Sequence, residues 1–293
     1  MTSKTFLERL QAGDILVSDG ATGTNLQKRG LPRGVTAEQW VLEEPHQIEQ
    51  LYRDFIEAGS DLILTCTFGG SPVRLAHTGM TGKAREVNLQ AARLARQAAA
   101  GTDVLIAGSM GPTGEMLKPL GLLGIDEALN SFAKQAKALE EGGVDLLVIE
   151  TQFDINEATT AIQGAQSVSK LPIVCSFSYD RGTRTMMGVK PAQMAKAIAP
   201  LGVAVLGINC GRSLDENLAA LQELRKNTDL PIWFKPNAGM PELDEDNNPT
   251  YSVNPEQMGA HVPQWIAAGA QIIGGCCGNS PEHIRAIARA IKA

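Results

Sequence analysis

The sequence is sparing with cysteine, histidine and aromatic residues, and each shortage excludes something. Five cysteines in 293 residues cannot build the disulfide framework of a small secreted protein. The four histidines, His46, His77, His261 and His283, never fall as HxxH or HxxxH, so no histidine-pair metal site is written in the chain and all four read as structural. Aromatic residues are 4% of the chain and the net charge is −6, which supplies neither the stacking platforms nor the basic patches of a nucleic-acid binder. The basic residues are scattered over stretches such as KAREVNLQAARLAR that read as solvated helix faces. No apolar run approaches the about 18 residues that span a membrane. The opening MTSKTFLERLQAGD lacks the apolar stretch of a signal peptide. These absences predict a cytoplasmic protein with no membrane or nucleic-acid partner. Thiols stay reduced there, so clustered cysteines are expected as ligands or nucleophiles.

What is present is an alternation. Short β-branched runs at 15–19, 61–67, 103–109, 144–150, 172–178, 203–209, 231–236 and 270–275 are separated by longer amphipathic stretches. Near-continuous apolar strands suggest a buried parallel sheet. Several helical stretches end in glycine just before the next strand, as EAG, EGG and AAG. Eight such strand–helix units predict a single (β/α)8 barrel, a TIM barrel, over residues 1–293, with no linker or second domain. The rival is a doubly wound open sheet. It usually carries GxGxxG after its first strand, where this chain has DGATGTN.

A barrel places its chemistry at the C-terminal ends of the strands. Those ends carry Asp19, Thr65, Thr67, Ser109, Glu150, Ser178, Asn209, Cys210, Asn237, Cys276 and Cys277. Cys66 and Cys175 sit inside apolar strand runs and read as inert core. Cys210, in GINCGRS, follows the sixth strand; Cys276 and Cys277, in GGCCG, follow the eighth. These strand ends are near neighbours around a closed barrel, and three converging thiolates suit Zn²⁺ with one coordination position left open. Successive strand side chains point in opposite directions, so the chain must turn around Cys276 and Cys277, and Gly274, Gly275 and Gly278 are expected to permit it. Ser280 and Pro281 read as N-cap and N1 of the last helix, and Ser213 with Glu216 as a capping box. The plain readings of adjacent cysteines are buried apolar fill or a strained vicinal disulfide. Cys210 at another strand end favours the metal.

Read in order, SDGATGTNLQ, LTCTFGGS, GSMGPTG, DLLVIET, SFSYDRGTRTMMG, GINC and GGCCG resemble the zinc-dependent homocysteine S-methyltransferases over essentially the whole chain. The resemblance implies a (β/α)8 barrel in which Cys210, Cys276 and Cys277 bind Zn²⁺ and activate the thiol of homocysteine for methyl transfer, giving methionine. It implies that Asp19 or Glu150 accepts the substrate ammonium and that Phe68, Gly69 and Gly70 offer backbone N–H groups to its carboxylate. Thr67 and Ser109 join the substrate pocket, and Asn237 is a displaceable fourth zinc ligand or a substrate contact. The betaine-using branch has a tyrosine after the second strand; CTFGGSP has none, which leans toward the branch resembling the homocysteine domain of cobalamin-dependent methionine synthase. No DxHxxG corrinoid segment is present, so methylcobalamin or a separate corrinoid protein is the expected donor, with S-methylmethionine as the alternative. Two rivals remain open: a barrel lyase or aldolase using Lys235 as a Schiff base, and a scaffold with a structural zinc, which needs a fourth protein ligand. The polar stretch MPELDEDNNPTYSVNP is expected to be a mobile loop over the site.

Overall fold

The computed structural model describes residues 4–243 and 249–292. Eight parallel strands form one sheet: β1 (Leu16–Val17), β2 (Leu62–Leu64), β3 (Leu105–Met110), β4 (Leu146–Gln152), β5 (Ile173–Phe177), β6 (Val205–Cys210), β7 (Ile232–Pro236) and, after two hairpin strands β8 (Pro241–Leu243) and β9 (Pro249–Tyr251), β10 (Ala270–Ile273). Their order is β1-β10-β7-β6-β5-β4-β3-β2. A parallel bridge between Ser18 and Leu62 joins the first strand to the second and rounds the sheet into the expected TIM barrel. Strands β1 and β2 are shorter than the sequence suggests, and side chains complete the seam between them. The Asp61 carboxylate accepts from Val17 N–H at 2.8 Å, and that of Asp19 from Leu64 N–H at 2.7 Å.

Strand alternation sorts the apolar residues into two cores. Leu16, Leu62, Leu64, Leu105, Val148 and Trp233 belong to a buried cluster inside the barrel, while their neighbours Val17, Ile63, Ile106 and Phe234 pack outward under the helices. The helix Phe6–Gln11 closes the N-terminal end with Phe6 and Leu10, both in the inner cluster. The helix Pro45–Glu57 shows why the outer layer forms: it begins on proline and buries Ile48, Leu51, Tyr52 and Phe55 at helical spacing along one stripe. Gly59, Gly143 and Gly269, the glycines read as helix ends, all adopt left-handed φ of 91° to 105°.

The stretch expected as a mobile loop contains the antiparallel hairpin β8–β9 in its described part, and residues 244–248 of it lie outside the described residues. Cys66 does not belong to its strand. β2 ends at Leu64, and Cys66 N–H donates to the Tyr52 hydroxyl at 2.7 Å, so the thiol is buried beside the central cavity. Cys175 lies inside β5, fully buried.

Candidate metal centre and substrate cavity

A cavity of about 480 Å³ opens at the C-terminal end of the barrel. The three rim cysteines line it, and their sulfurs all lie within 4.8 Å of one another, with Cys210 Sγ 2.9 Å from Cys276 Sγ. Tetrahedral sulfurs with bonds of about 2.3 Å to one zinc ion sit about 3.8 Å apart, so the three thiols are near enough to share one ion once Cys210 and Cys276 move apart. Among the described residues no fourth cysteine, histidine or carboxylate joins the cluster. That is the arrangement of a site with an open position, and among the described residues the structural-zinc rival finds no fourth ligand. Hydrogen bonding among the thiols concentrates negative charge on Cys277, whose pKa falls to about 3 because Cys210 and Cys276 donate to it. The Cys210 thiol is pushed up, chiefly because it donates to Cys276.

The local backbone explains how adjacent cysteines face one centre. Gly278 takes a left-handed φ of 82°, as expected of a turn there. Gly274 and Gly275 do not. They are small for lack of space: a Cβ at Gly274 would lie 2.7 Å from the Asp19 carbonyl oxygen, and one at Gly275 would lie 2.1 Å from Asn279 Cγ. The remaining bend comes from Cys210 itself, at φ 60°. Thr151 at φ 58° is the other non-glycine residue with positive φ among those described. Asn209 ties the two together. It accepts from Thr151 N–H at 2.9 Å, donates to Thr151 Oγ1 at 2.6 Å, and reaches Cys210 Sγ at 3.4 Å. Such strain persists only where surrounding bonds over-determine it.

Asn237 braces the two cysteine segments against each other. Its Oδ1 accepts from Cys277 N–H at 2.9 Å and its Nδ2 donates to the Gly211 carbonyl at 2.8 Å, so both ends of the amide are engaged. Asn279 performs a similar task, donating to the carbonyls of Pro236 and Cys276. Ser213 caps its helix through Glu216 N–H, without the reciprocal half of a capping box. The Ser280 hydroxyl turns instead to Glu282 and His283. His283 bridges from there to the Val253 carbonyl, a structural role as expected.

The other expected residues fall on the cavity wall beside the thiols. Thr67 Oγ1 donates to the Ser109 carbonyl at 2.7 Å, and Ser109 Oγ donates to Glu150 Oε1 at 2.5 Å. Burial pushes the Glu150 carboxyl up to about 7, against the pull of Lys235. Asp19 is already committed: its Oδ1 takes Lys235 Nζ at 2.5 Å and Ser18 Oγ at 3.3 Å, and its Oδ2 takes Leu64 N–H. Phe68 is half-exposed at the mouth, where its ring fills the space a side chain at Gly111 would need. The N–H of Gly69 donates to Glu38 Oε1 at 2.6 Å and that of Gly70 to the Thr67 carbonyl at 2.9 Å.

Two residues of the site carried too little sequence signal, and a third, read as a Schiff-base candidate, has a different setting. Glu38 comes from a helix between the first two strands and is buried by tertiary contact alone. Tyr251, on the hairpin, packs on Gly278, and the thiolates beside it push its phenol pKa up, after the larger effect of burial. Lys235 was legible in principle, since it shares its strand parity with Trp233, which points into the barrel. Burial opposes its charge, yet Asp19 and Glu150 outweigh that and hold its pKa above the ordinary value. A Schiff-base lysine needs the opposite direction, which disfavours the aldolase rival.

Comparison with known proteins agrees with this geometry. The family model described as homocysteine S-methyltransferase matches residues 16–291. The chain is 30% identical over 297 residues to a methionine synthase of Mycobacterium leprae, covering 94% of this chain and 24% of that protein. It thus spans about a quarter of that relative's length. Among solved structures, the metallated form of the Escherichia coli homocysteine methyltransferase MmuM superposes with a TM-score of 0.80 at 27% identity, covering 96% of this chain and 97% of the other. Its oxidized form gives a TM-score of 0.78 at 28% identity, covering 95% and 96%. The carboxyl transferase domain of Rhizobium etli pyruvate carboxylase, at 13% identity and a TM-score of 0.54, shares the fold alone; it covers 95% of this chain and 47% of that one. With its match running almost end to end and three thiols meeting at the barrel rim, the chain belongs to the homocysteine S-methyltransferase family of enzymes.

Proposed function

We propose that this protein transfers a methyl group to the sulfur of homocysteine, giving methionine, with Cys210, Cys276 and Cys277 holding Zn²⁺. The observation that carries the reading is the three-sulfur cluster with no fourth protein ligand among the described residues, set in the wall of a cavity that also holds Glu150 and Lys235. Held by Cys210, Cys276 and Cys277, zinc would supply the Lewis acidity that lowers the pKa of a substrate thiol and keeps its sulfur electron-rich. The chain's own groups do the rest. Glu150, held by Ser109, accepts the substrate ammonium. Asn237, Asn209 and Asn279 fix the loops so that the sulfurs converge. Phe68 and Glu38 wall the approach. The thiol proton leaves to solvent, the new S–CH₃ bond forms from a sulfur lone pair, and the donor departs with the electrons of its broken bond to carbon.

The donor we favour is a methylated corrinoid, either methylcobalamin or a separate corrinoid protein. The support is the similarity to a methionine synthase over nearly the whole chain. A second reading, a small sulfonium such as S-methylmethionine, is favoured by the end-to-end match to a single-barrel homocysteine methyltransferase. Zinc-loaded protein with homocysteine is offered methylcobalamin, a methylated corrinoid protein, S-methylmethionine and betaine in turn, and methionine is measured. Turnover with either of the first two supports the corrinoid reading, and turnover with S-methylmethionine alone the second. Turnover with betaine alone removes both. Full activity in Cys277→Ser, or in protein shown to hold no zinc, refutes the proposed mechanism.

A further inference from the structure

Glu38 is a buried carboxyl outside the thiol cluster. The helix Ala37–Glu43 carries it between the first two strands, it is 7% exposed, and it lines the cavity together with Thr67 and Phe68. We propose that Glu38 is a positioning residue of the amino-acid seat: by holding the N–H of Gly69 it fixes the turn after β2 so that the N–H of Phe68 stands open to the α-carboxylate of the substrate. The assignment rests on the homocysteine reading above and deepens it.

The backbone bonds of the turn lead there. Thr67 N–H donates to the Thr65 carbonyl at 2.8 Å, Gly70 N–H to the Thr67 carbonyl at 2.9 Å, and Gly111 N–H to the Phe68 carbonyl at 2.8 Å. Gly69 N–H donates to Glu38 Oε1 at 2.6 Å. Of the four N–H groups from Thr67 to Gly70, that of Phe68 has no partner among the described residues, and Phe68 lines the cavity. A backbone donor left open at a cavity wall calls for an acceptor that arrives with the ligand. Two other side chains hold the turn, and both hold carbonyls: Asn88 Nδ2 donates to that of Gly70 at 2.7 Å, and Gln135 Nε2 to that of Thr67 at 2.8 Å. Glu38 is the side chain that holds an N–H, and it does so within the cavity wall. The fit leaves little slack. A Cβ at Gly69 would lie 3.1 Å from Glu38 Oε1, and one at Gly70 would lie 2.6 Å from Asn88 Oδ1. With Gly69 N–H taken, an incoming carboxylate meets one open donor in this turn and takes one register. That register matters because the turn is bonded to the ammonium seat, through Thr67 Oγ1 to the Ser109 carbonyl and Ser109 Oγ to Glu150. Burial pushes the Glu38 carboxyl above its ordinary pKa, against the pull of Gly69 N–H, which limits the charge it sets against the substrate.

The test compares homocysteine with 3-aminopropane-1-thiol, which is homocysteine without its carboxylate. Binding of each to the zinc-loaded protein is measured by calorimetry in wild type, Glu38→Ala, Glu38→Asp and Glu38→Gln, with zinc affinity measured on the same samples. Alanine removes the anchor and aspartate withdraws it by one methylene, so both are expected to lose about tenfold in homocysteine affinity, the size of one hydrogen bond, with the aminothiol changed less than about threefold. Glutamine keeps an oxygen for Gly69 N–H and is expected to stay within about threefold of wild type for both thiols. Zinc affinity is expected to be unchanged throughout. If the alanine variant does not fold, the aspartate variant decides, since it keeps a carboxylate in place. Equal weakening of both thiols, intact homocysteine binding in the aspartate variant, or a glutamine variant as weak as the aspartate one overturns the assignment while the methyltransferase reading stands. Wild type that binds neither thiol overturns both.

Discussion

The two ends of this barrel solve opposite problems. At the N-terminal end, Phe6 and Leu10 press into an inner cluster of Leu16, Leu62 and Leu105, and the ion pair of Arg9 with Asp61 seals the edge at 2.8 Å. Among the described residues, no non-glycine residue there holds left-handed backbone. At the C-terminal end the buried groups are Asp19, Thr67, Ser109, Glu150, Asn209 and Lys235, and two non-glycine residues hold left-handed backbone. Burying polar groups costs free energy unless each is bonded, and the bonds here run from strand to strand: Thr67 to Ser109, Ser109 to Glu150, Lys235 to Asp19. One end therefore supplies stability and the other uses it, which is why the same strands can read as ordinary apolar runs for most of their length.

Changes at each end should separate these roles. Phe6→Ala at the floor should destabilise by about 3–5 kcal/mol, from lost burial and the cavity left behind, and leave zinc and homocysteine affinities unchanged. Chemical denaturation with zinc titration on the same samples checks it, and a weakened metal site would show that the two ends are coupled. Glu150→Gln should show the reverse at the rim in metal-free protein. The folded pKa of Glu150 is raised from 4.5 to about 7, so its contribution is fully present below pH 4.5 and is lost as pH rises through 7. The glutamine variant should match wild type near pH 4 and exceed it by about 3 kcal/mol at pH 8. Parallel stability–pH curves would rule out that burial penalty. Asn237→Ala gives the smallest change. It removes the brace between the cysteine loops and should lower zinc affinity about 10- to 100-fold, as lost outer contacts to metal ligands do, with little effect on metal-free stability. If Asn237 is instead a direct ligand, the spectrum of the cobalt-substituted protein will change its coordination signature as well as its affinity.

The sequence was legible where one residue type has one physical use. Apolar runs of strand length, glycines closing helices and paired cysteines at strand ends located the barrel, its rim and the thiol cluster. It was less legible where a residue's role depends on its neighbours. GGCC looked like a turn in need of flexible backbone; only Gly278 takes a left-handed angle, and Gly274 and Gly275 are there because Asp19 and Asn279 leave no room for a side chain. Phe68 to Gly70 looked like a free row of donors, and Glu38, some thirty residues earlier, occupies the second of them. Asp19 read as a substrate ligand, and nothing in the sequence signalled that Lys235, on the far side of β10, pairs with it.

The alternation of hydrophobicity, read with side-chain period and chain length, sufficed to determine eight strands, the direction of their polar ends and the presence of three thiols there. These are local properties, repeated along the chain. Which polar groups neutralise one another was decided by tertiary structure alone. Asp19 and Lys235 are 216 positions apart, and Glu150 and Ser109 are 41 apart. No local pattern links them, and the low-dielectric interior that makes their pairing strong exists only once the barrel has closed.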